Sequence, residues 1–157
     1  MARRAGTRAT ESWASSDAIR KTMTSTRGRD TSAELAVRSA AHRRGLRYRV
    51  DGAPLKGVRR RADMLFSARR VAVFIDGCFW HGCPIHYQAP RSNAGYWARK
   101  VETNTERDRD TDRRLEAEGW RVVRAWEHED PESVADRIEA AVTSSRDELH
   151  RDVGPAG

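Results

Sequence analysis

The sequence predicts an α/β domain in which a small mixed sheet is flanked by helices on both sides. Helical and strand-like segments follow one another in the order helix, three short strands, long helix, strand, helix. Elements in this order pack as helix and sheet layers around one core. The chain has 157 residues, of which 38% are hydrophobic, so we expect one domain with a modest core and no need of disulfides.

The first helix is predicted to begin at Thr31. Thr31 and Glu34 have the spacing of a capping box, in which each side chain can bond the other residue's backbone N–H. The apolar positions of this helix are Leu35, Val37, Ala40 and Ala41. Gly45 is expected to end it, because glycine readily adopts the left-handed conformation found at helix ends.

The remaining elements are predicted from apolar patterns bounded by turn residues. They are strands at 48–50, 62–66 and 70–75, a long polar helix at 91–118, a strand at 120–126 and a helix from Pro131. Outside them, we expect residues 1–15 to form a disordered basic N-terminus and residues 146–157 a flexible tail. Residues 16–30 resemble the basic arms that lie along a DNA groove.

The chain is strongly basic. Its formal net charge is +7, its pI is about 10.2, and 27 of its 30 basic residues are arginine. Arginine suits bidentate contacts with phosphate and guanine, so the composition indicates a nucleic-acid partner. The codon bias of a GC-rich genome would also enrich arginine. No run approaches the roughly 18 apolar residues of a membrane span and no signal peptide is visible, so we expect a cytoplasmic, nucleoid-associated bacterial protein.

Two cysteines and two histidines form the first candidate site. Cys78 and Cys83 are separated by four residues, and in an intracellular chain they are better interpreted as metal ligands than as a disulfide. With His86 and the distant His128 they supply two thiolates and two imidazoles, a usual set for structural zinc. The alternatives are that the thiols are merely buried, or that His81 replaces His86 as a ligand.

Two aspartates form the second candidate site. Asp63 lies on one predicted strand and Asp76 ends the next, so a hairpin would place them side by side at one end of the sheet. Carboxylates in that position can hold Mg²⁺ against a scissile phosphate and polarise the attacking water. The alternative is that each aspartate caps a strand or a turn.

His81, if it is not a zinc ligand, could act as a general base that Asp108 orients.

Three aromatic residues are candidate DNA contacts. Phe79 and Trp80 lie between the candidate ligands, and Trp97 lies on the helix that follows them. Aromatic wedges can enter base steps and unstack a duplex. From the pattern alone, however, ordinary core packing is the favoured interpretation.

Taken together, these residues resemble the very-short-patch repair (Vsr) DNA mismatch endonucleases over most of the chain, from about residue 16 to residue 142. The matching motifs are Thr26-Arg27-Gly28-Arg29-Asp30-Thr31 with Glu34, Arg61-Ala62-Asp63, Gly77-Cys78-Phe79-Trp80-His81-Gly82, Tyr96-Trp97 with Lys100, Asn104 with Glu106-Arg107-Asp108-Arg109, Gly119-Trp120-Arg121-Val122 and Trp126-Glu127. Matches that occur in this order along the chain are more specific than any single motif.

The resemblance implies a restriction-endonuclease-like fold, with an endonuclease domain at residues 16–145. It implies a Mg²⁺-dependent nick on the 5′ side of the thymine in a T:G mismatch, which arises when 5-methylcytosine deaminates. The implied partner is duplex DNA with that mismatch, mismatch-repair proteins are further candidate partners, and a monomer is expected.

By position, the resemblance also assigns roles to individual residues. It makes Asp63 the Mg²⁺ ligand with the backbone carbonyl of Ile75, His81 the catalytic histidine with Asp108 as its partner, and Glu34 a further acidic residue of the site. For Glu34, the capping box remains an alternative. The intercalating aromatics would be Phe79, Trp80 and Trp97, and the DNA-binding residues Arg27, Arg29, Lys100 and Asn104.

Three departures from the family pattern matter. Ala62 replaces a proline that is common before the metal-binding aspartate. Asp76 stands where many members have histidine, and it would be a second Mg²⁺ ligand as in restriction-type nucleases. In the zinc set, Cys83 stands where histidine is common, whereas His86 and His128 stand where cysteines are common. The rival functions are a nuclease that cuts matched or modified DNA, which Asp76 favours, and a zinc-stabilised DNA-binding module without catalysis.

Overall fold

The computed structural model of the protein describes residues 31–78 and 80–151. The elements are helix α1 (Ser32–Arg43), strands β1 (Arg49–Gly52), β2 (Ala62–Phe66) and β3 (Val71–Asp76), helix α2 (Ala94–Ala117), strand β4 (Arg121–Trp126) and helix α3 (Pro131–Arg151). This order of helices and strands confirms the predicted α/β class. The basic N-terminus and the arm predicted at residues 1–30 lie outside the described residues.

The four strands form one mixed sheet in the order β1-β2-β3-β4. β1, β2 and β3 are successively antiparallel, whereas β4 runs parallel to β3, so that Val71 lies opposite Arg121 and Asp76 opposite Trp126. A parallel pair needs a crossover connection, and α2 provides it. The carboxyl ends of β3 and β4 therefore meet at one edge of the sheet.

Helices cover both faces of the sheet. The core on one face joins residues of α1 and α3 to β2, β3 and β4, and it includes Val37, Phe66, Val73, Ala125 and Ile138. The core on the other face joins Leu115 of α2 to Leu65, Ala72 and Phe74. The result is a three-layer domain, as predicted, in which α2 crosses one face of the sheet near the shared strand ends.

The predicted start of α1 is confirmed. The Thr31 hydroxyl accepts a hydrogen bond of 3.3 Å from the backbone N–H of Glu34, which satisfies one of the free N–H groups of the first turn. The Glu34 carboxylate contacts Arg38 at 3.2 Å on the same helix. After α1 ends at Arg43, the chain turns at Gly45, which has a φ of +76°.

The C-terminal helix is longer than predicted. α3 continues to Arg151, so the first part of the predicted tail at residues 146–157 is helical. Two contacts hold this end of α3: the Ser145 hydroxyl donates to the Arg69 carbonyl in the turn before β3, and Glu148 pairs with Arg121 of β4. Within the described part of the chain, no helix combines the length and apolar character that a membrane crossing requires.

Candidate active site and metal cluster

The candidate site lies where β3 and β4 end. Asp76 is the last residue of β3, and the chain then enters a loop that leads to α2, while β4 ends beside it at Trp126. Glu127 joins the two ends: its backbone N–H donates to the Asp76 carbonyl at 2.9 Å, and its carboxylate accepts from the Cys78 N–H at 2.9 Å. The parallel strand pair thus fixes two loops against each other.

Four soft donors meet between these loops. One ligand atom from each of Cys78, Cys83, His86 and His128 lies within 4.8 Å of all the others. The distance from the His128 Nδ1 is 3.1 Å to the Cys78 Sγ and 3.6 Å to the Cys83 Sγ, and the Cys83 Sγ lies 3.8 Å from the His86 Nδ1. A tetrahedral zinc ion with ordinary bond lengths separates sulfur and nitrogen ligands by about 3.5 Å. The group therefore has the donors and spacing of a four-ligand metal site.

The structure decides between His81 and His86 as the fourth member of this group. His86 stands with the two cysteines and His128, and the His86 and His128 rings are 4.3 Å apart. His81 instead belongs to a second group of possible ligands, with Asp76 and Asp108. The short loop after β3 therefore places its two histidines in different groups.

The second group centres on His81. The His81 Nδ1 lies 2.5 Å from the Asp108 Oδ2 on α2 and 3.9 Å from the Asp76 Oδ1. Burial opposes ionisation of Asp108, but the bond to His81 and the charges of Arg124 and Arg60 outweigh it and lower the pKa of Asp108. The carboxylate is therefore ionised at neutral pH and fixes the orientation of the imidazole.

Arg124 of β4 is a member of this site that sequence reasoning missed. Its Nη1 lies 3.0 and 3.1 Å from the two carboxylate oxygens of Asp76, and its Nε and Nη2 bond Asp112 at 2.8 to 2.9 Å. The guanidinium carbon lies 4.5 Å from the centre of the Phe74 ring. An arginine flanked by apolar residues within a strand was the signal that could have indicated it, since a partly buried charge requires partners.

Asp63 lies close to this group but has different neighbours. Its Oδ2 accepts a hydrogen bond of 2.6 Å from the backbone N–H of Ile75. Burial raises the pKa of Asp63 to about 6, the bond from Ile75 opposes the shift, and the charges of Glu34 and Asp76 add to it. Three predicted acidic residues thus come together, and a cation bound at Asp63 would offset the effects that raise its pKa.

The aromatic residues divide between the interior and the surface. Trp97 is only 2% exposed, and it packs against the Trp80 and Tyr96 rings at centroid distances of 6.0 and 5.1 Å. Trp97 is therefore part of the packing in this conformation, and its role as an intercalating residue stays a prediction. Tyr96, which is 49% exposed, is the large aromatic that α2 presents to solvent.

The predicted DNA-binding residues are only partly described. Lys100 is exposed on α2, whereas the Asn104 amide donates to the Trp80 carbonyl at 2.8 Å and so positions the loop after β3. Phe79, Arg27 and Arg29 lie outside the described residues.

Comparison with known proteins finds several related sequences. The family model described as DNA mismatch endonuclease Vsr matches residues 15–87. The chain is 44% identical to the type II nicking enzyme V.NaeI of Lentzea aerocolonigenes over 132 residues, which are 83% of this chain and 75% of that protein. It is 42% identical over 109 residues to the type II nicking enzyme V.XorIIP of Xanthomonas oryzae pv. oryzae, covering 68% and 77% of the two chains.

A further relative is the DNA mismatch endonuclease Vsr of Escherichia coli K12, which is 36% identical over 108 residues, or 68% of this chain and 67% of that protein. These relatives, together with the histidine and carboxylates at the strand ends, define a DNA endonuclease, a hydrolase of phosphodiester bonds. Within that class, the chain belongs to the Vsr family.

Proposed function

We propose that this endonuclease nicks one strand of duplex DNA on the 5′ side of the thymine in a T:G mismatch. It would act as a monomer with a restriction-endonuclease-like fold, catalytic Mg²⁺ and structural zinc. The observation that carries the proposal is the His81–Asp108 pair, with its Nδ1 to Oδ2 distance of 2.5 Å, at the sheet edge that also holds Asp63 and Asp76. The mismatch specificity is supported by the name of the Escherichia coli relative.

The His81–Asp108 pair has the geometry of an oriented general base. Because the Nδ1 faces the Asp108 carboxylate, the Nε2 is the ring nitrogen that can accept a proton from water. Asp108 stabilises the imidazolium that forms when this proton arrives. The water, as it loses the proton, attacks the scissile phosphorus in line with the leaving oxygen.

The Asp63 environment fits Mg²⁺, a cation that prefers oxygen ligands. Its partly buried carboxylate has a pKa raised to about 6 by burial and further by the charges of Glu34 and Asp76, and a bound cation would offset this shift. Asp63 and the backbone carbonyl of Ile75 would hold the ion. When bound, Mg²⁺ would supply positive charge to the scissile phosphate and the attacking water.

The four-donor group fits zinc better than a hard cation. Two of its ligands are thiols, which soft and borderline metals prefer, and the other two are imidazoles. Burial and the neighbouring Cys83 raise the pKa of the Cys78 thiol to about 12, so zinc binding would release a proton. The ion would join the loop after β3 to the loop after β4 and thereby support the His81–Asp108 geometry.

Binding of the duplex would use the basic and aromatic groups around the strand ends. The net charge of +7 favours a polyanion, and exposed Lys100 and Tyr96 lie on the helix that also carries Asp108. Trp80 would wedge into the mismatch, since its partly exposed side chain lies one residue before the catalytic histidine. Residues 16–30 would add further contacts with the DNA phosphates.

A nicking assay on two duplexes of one sequence, with T:G or C:G at a single position, tests the proposal. We expect a Mg²⁺-dependent nick in the T:G duplex alone. Asp108→Asn should lower its rate by about 100-fold or more, because the base loses its charged partner, and Asp110→Asn, on the same helix, is the matched control. Equal cleavage of both duplexes would instead favour a nuclease that cuts matched DNA. Mg²⁺-independent binding without any nick would favour a DNA-binding module without catalysis.

A further inference from the structure

Asp76 has two conceivable tasks at this site. It ends β3 beside Asp63, where it could bind the catalytic cation, and it also faces Arg124 across the parallel strand pair. We propose that Asp76 is not a ligand of the catalytic Mg²⁺ but the counter-ion of Arg124, and that Arg124 is a positioning residue that holds Asp108 against His81. This inference rests on the proposed function, because it concerns the same reaction.

The contacts of Asp76 are those of a counter-ion. Both of its carboxylate oxygens lie within 3.1 Å of the Arg124 Nη1, and its Oδ1 lies 3.8 Å from the Arg60 Nη2. The side chain is 8% exposed. A Mg²⁺ ion 2.0 to 2.1 Å from either oxygen would therefore stand within a few ångströms of the partly buried Arg124 guanidinium, and like charges at that separation repel strongly.

Asp63 has the opposite surroundings. Its hydrogen bond comes from the neutral N–H of Ile75 at 2.6 Å, and the charges that act most on its pKa are those of Glu34 and Asp76, followed by Arg38. The two aspartates therefore have different roles. Asp63 is bonded by a neutral donor, whereas Asp76 is already paired with a positively charged guanidinium.

Arg124 also decides which carboxylate holds His81. Two carboxylates face the His81 Nδ1, with Asp108 at 2.5 Å and Asp76 at 3.9 Å. Arg124 engages both oxygens of Asp76, and its Nη2 lies 3.4 Å from the Asp108 backbone carbonyl. The guanidinium thereby draws Asp76 away from the imidazole and fixes the turn of α2 that presents Asp108.

The remaining contacts of Arg124 make it rigid. Asp112, one turn after Asp108 on α2, accepts hydrogen bonds from its Nε and Nη2 at 2.8 to 2.9 Å, and Phe74 lies under the guanidinium plane at 4.5 Å. A planar fork with several donors can bridge these groups, whereas the single ammonium of lysine cannot. Arg124 thus ties the end of β3, the body of β4 and the middle of α2 into one unit.

The proposal is tested by separating cation binding from turnover. The Mg²⁺ dissociation constant of the full chain is measured by calorimetry and again as the Mg²⁺ concentration that half-saturates nicking. Rates at saturating Mg²⁺ are measured as kcat and KM on the T:G duplex. The variants are Asp63→Asn, Asp76→Asn, Arg124→Lys and Arg124→Met. The matched control is Arg121→Met, which removes a surface ion pair with Glu148 from the same strand.

We expect Asp63→Asn to weaken Mg²⁺ binding at least tenfold by both measures. Asp76→Asn and Arg124→Met should leave both values within about threefold while lowering kcat about 10- to 100-fold at nearly constant KM. Arg124→Lys should recover little of this loss, and Arg121→Met should match the wild type.

Two results would overturn the inference. If Asp76→Asn weakens Mg²⁺ binding as much as Asp63→Asn does, Asp76 is a ligand. If Arg124→Met or Arg124→Lys keeps the wild-type kcat, the positioning role is wrong. Thermal unfolding of each variant shows whether it is folded, and the isosteric Asp76→Asn answers the ligand question even if Arg124→Met does not fold. Calorimetry needs no DNA, so a failure of the T:G specificity would appear separately, as cleavage of the C:G duplex.

Discussion

Replacing Asp63 by asparagine should make the free protein more stable at neutral pH while removing its nicking activity. Burial, followed by the charges of Glu34 and Asp76, raises the pKa of Asp63 from 3.8 to about 6, against the opposing bond from Ile75. A tenfold change in a proton equilibrium corresponds to about 1.4 kcal/mol, so the ionised side chain lowers the free energy of unfolding by about 3 kcal/mol. Asparagine has the same shape and can accept the same hydrogen bond without the charge.

The difference in unfolding free energy between the wild type and Asp63→Asn should depend on pH. The stabilisation from protonated Asp63 is complete below the ordinary value of 3.8 and is lost as the pH rises through the folded-state value of about 6. The wild type and Asp63→Asn should therefore have similar stability near pH 4. Above about pH 7, the variant should be more stable by up to about 3 kcal/mol.

Urea unfolding between pH 4 and 8 without added Mg²⁺ measures this difference, with Asp110→Asn of α2 as the control for loss of an aspartate elsewhere. Adding Mg²⁺ should then stabilise the wild type but not Asp63→Asn, because only a folded state that binds the ion gains from it. A difference that is the same at every pH, or a variant less stable than the wild type at pH 7, would refute the argument that the partly buried charge of Asp63 opposes folding.

His81→Ala should lower the nicking rate about 100-fold or more without changing the zinc content of the purified protein. His86→Ala should lower both the zinc content, measured by atomic absorption, and the Tm. If His81→Ala loses zinc and His86→Ala keeps it, the roles assigned to the two histidines are reversed. Trp97→Ala should reduce the free energy of unfolding, measured in urea, by about 3 to 5 kcal/mol, because Trp97 is buried. Tyr96→Ala should change the same free energy by less than about 1 kcal/mol. Similar losses of stability in the two variants would contradict the assigned burial. Trp80→Ala should weaken binding to a T:G duplex, followed by fluorescence anisotropy, more than binding to the C:G duplex, and equal weakening would exclude a wedge at the mismatch.

Local signals predicted most of the elements. The spacing of Thr31 and Glu34 identified the N-cap of α1, which is Thr31 in the structure, and Pro131 correctly marked the start of α3. These signals work because a cap or a fixed φ acts within one turn of the helix. The end of α3 was harder, since the contacts of its last turns with Arg69 and Arg121 join residues far apart in sequence.

The ligand groups were predictable because residue type limits their chemistry. Two thiols and two imidazoles have few alternative uses together, and the structure brings Cys78, Cys83, His86 and His128 to one place. The partner of Asp76 was not predictable. It depends on the register of β3 against β4, which places Arg124 opposite Phe74, and a shift of one residue would turn this side chain to the other face of the sheet.

The four-donor group has a consequence for the folding of the chain. A metal ion that joins Cys78 to His128 closes a loop of about 50 residues, which on the scale for cross-links would reduce the entropy of the unfolded chain by an amount worth about 4 kcal/mol. That loop contains all of α2. A newly made chain must therefore bring β4 beside β3 before the last ligand is in reach. The metal cross-link would form late in folding. Once formed, it would prevent the helix that carries Asp108 from unfolding locally.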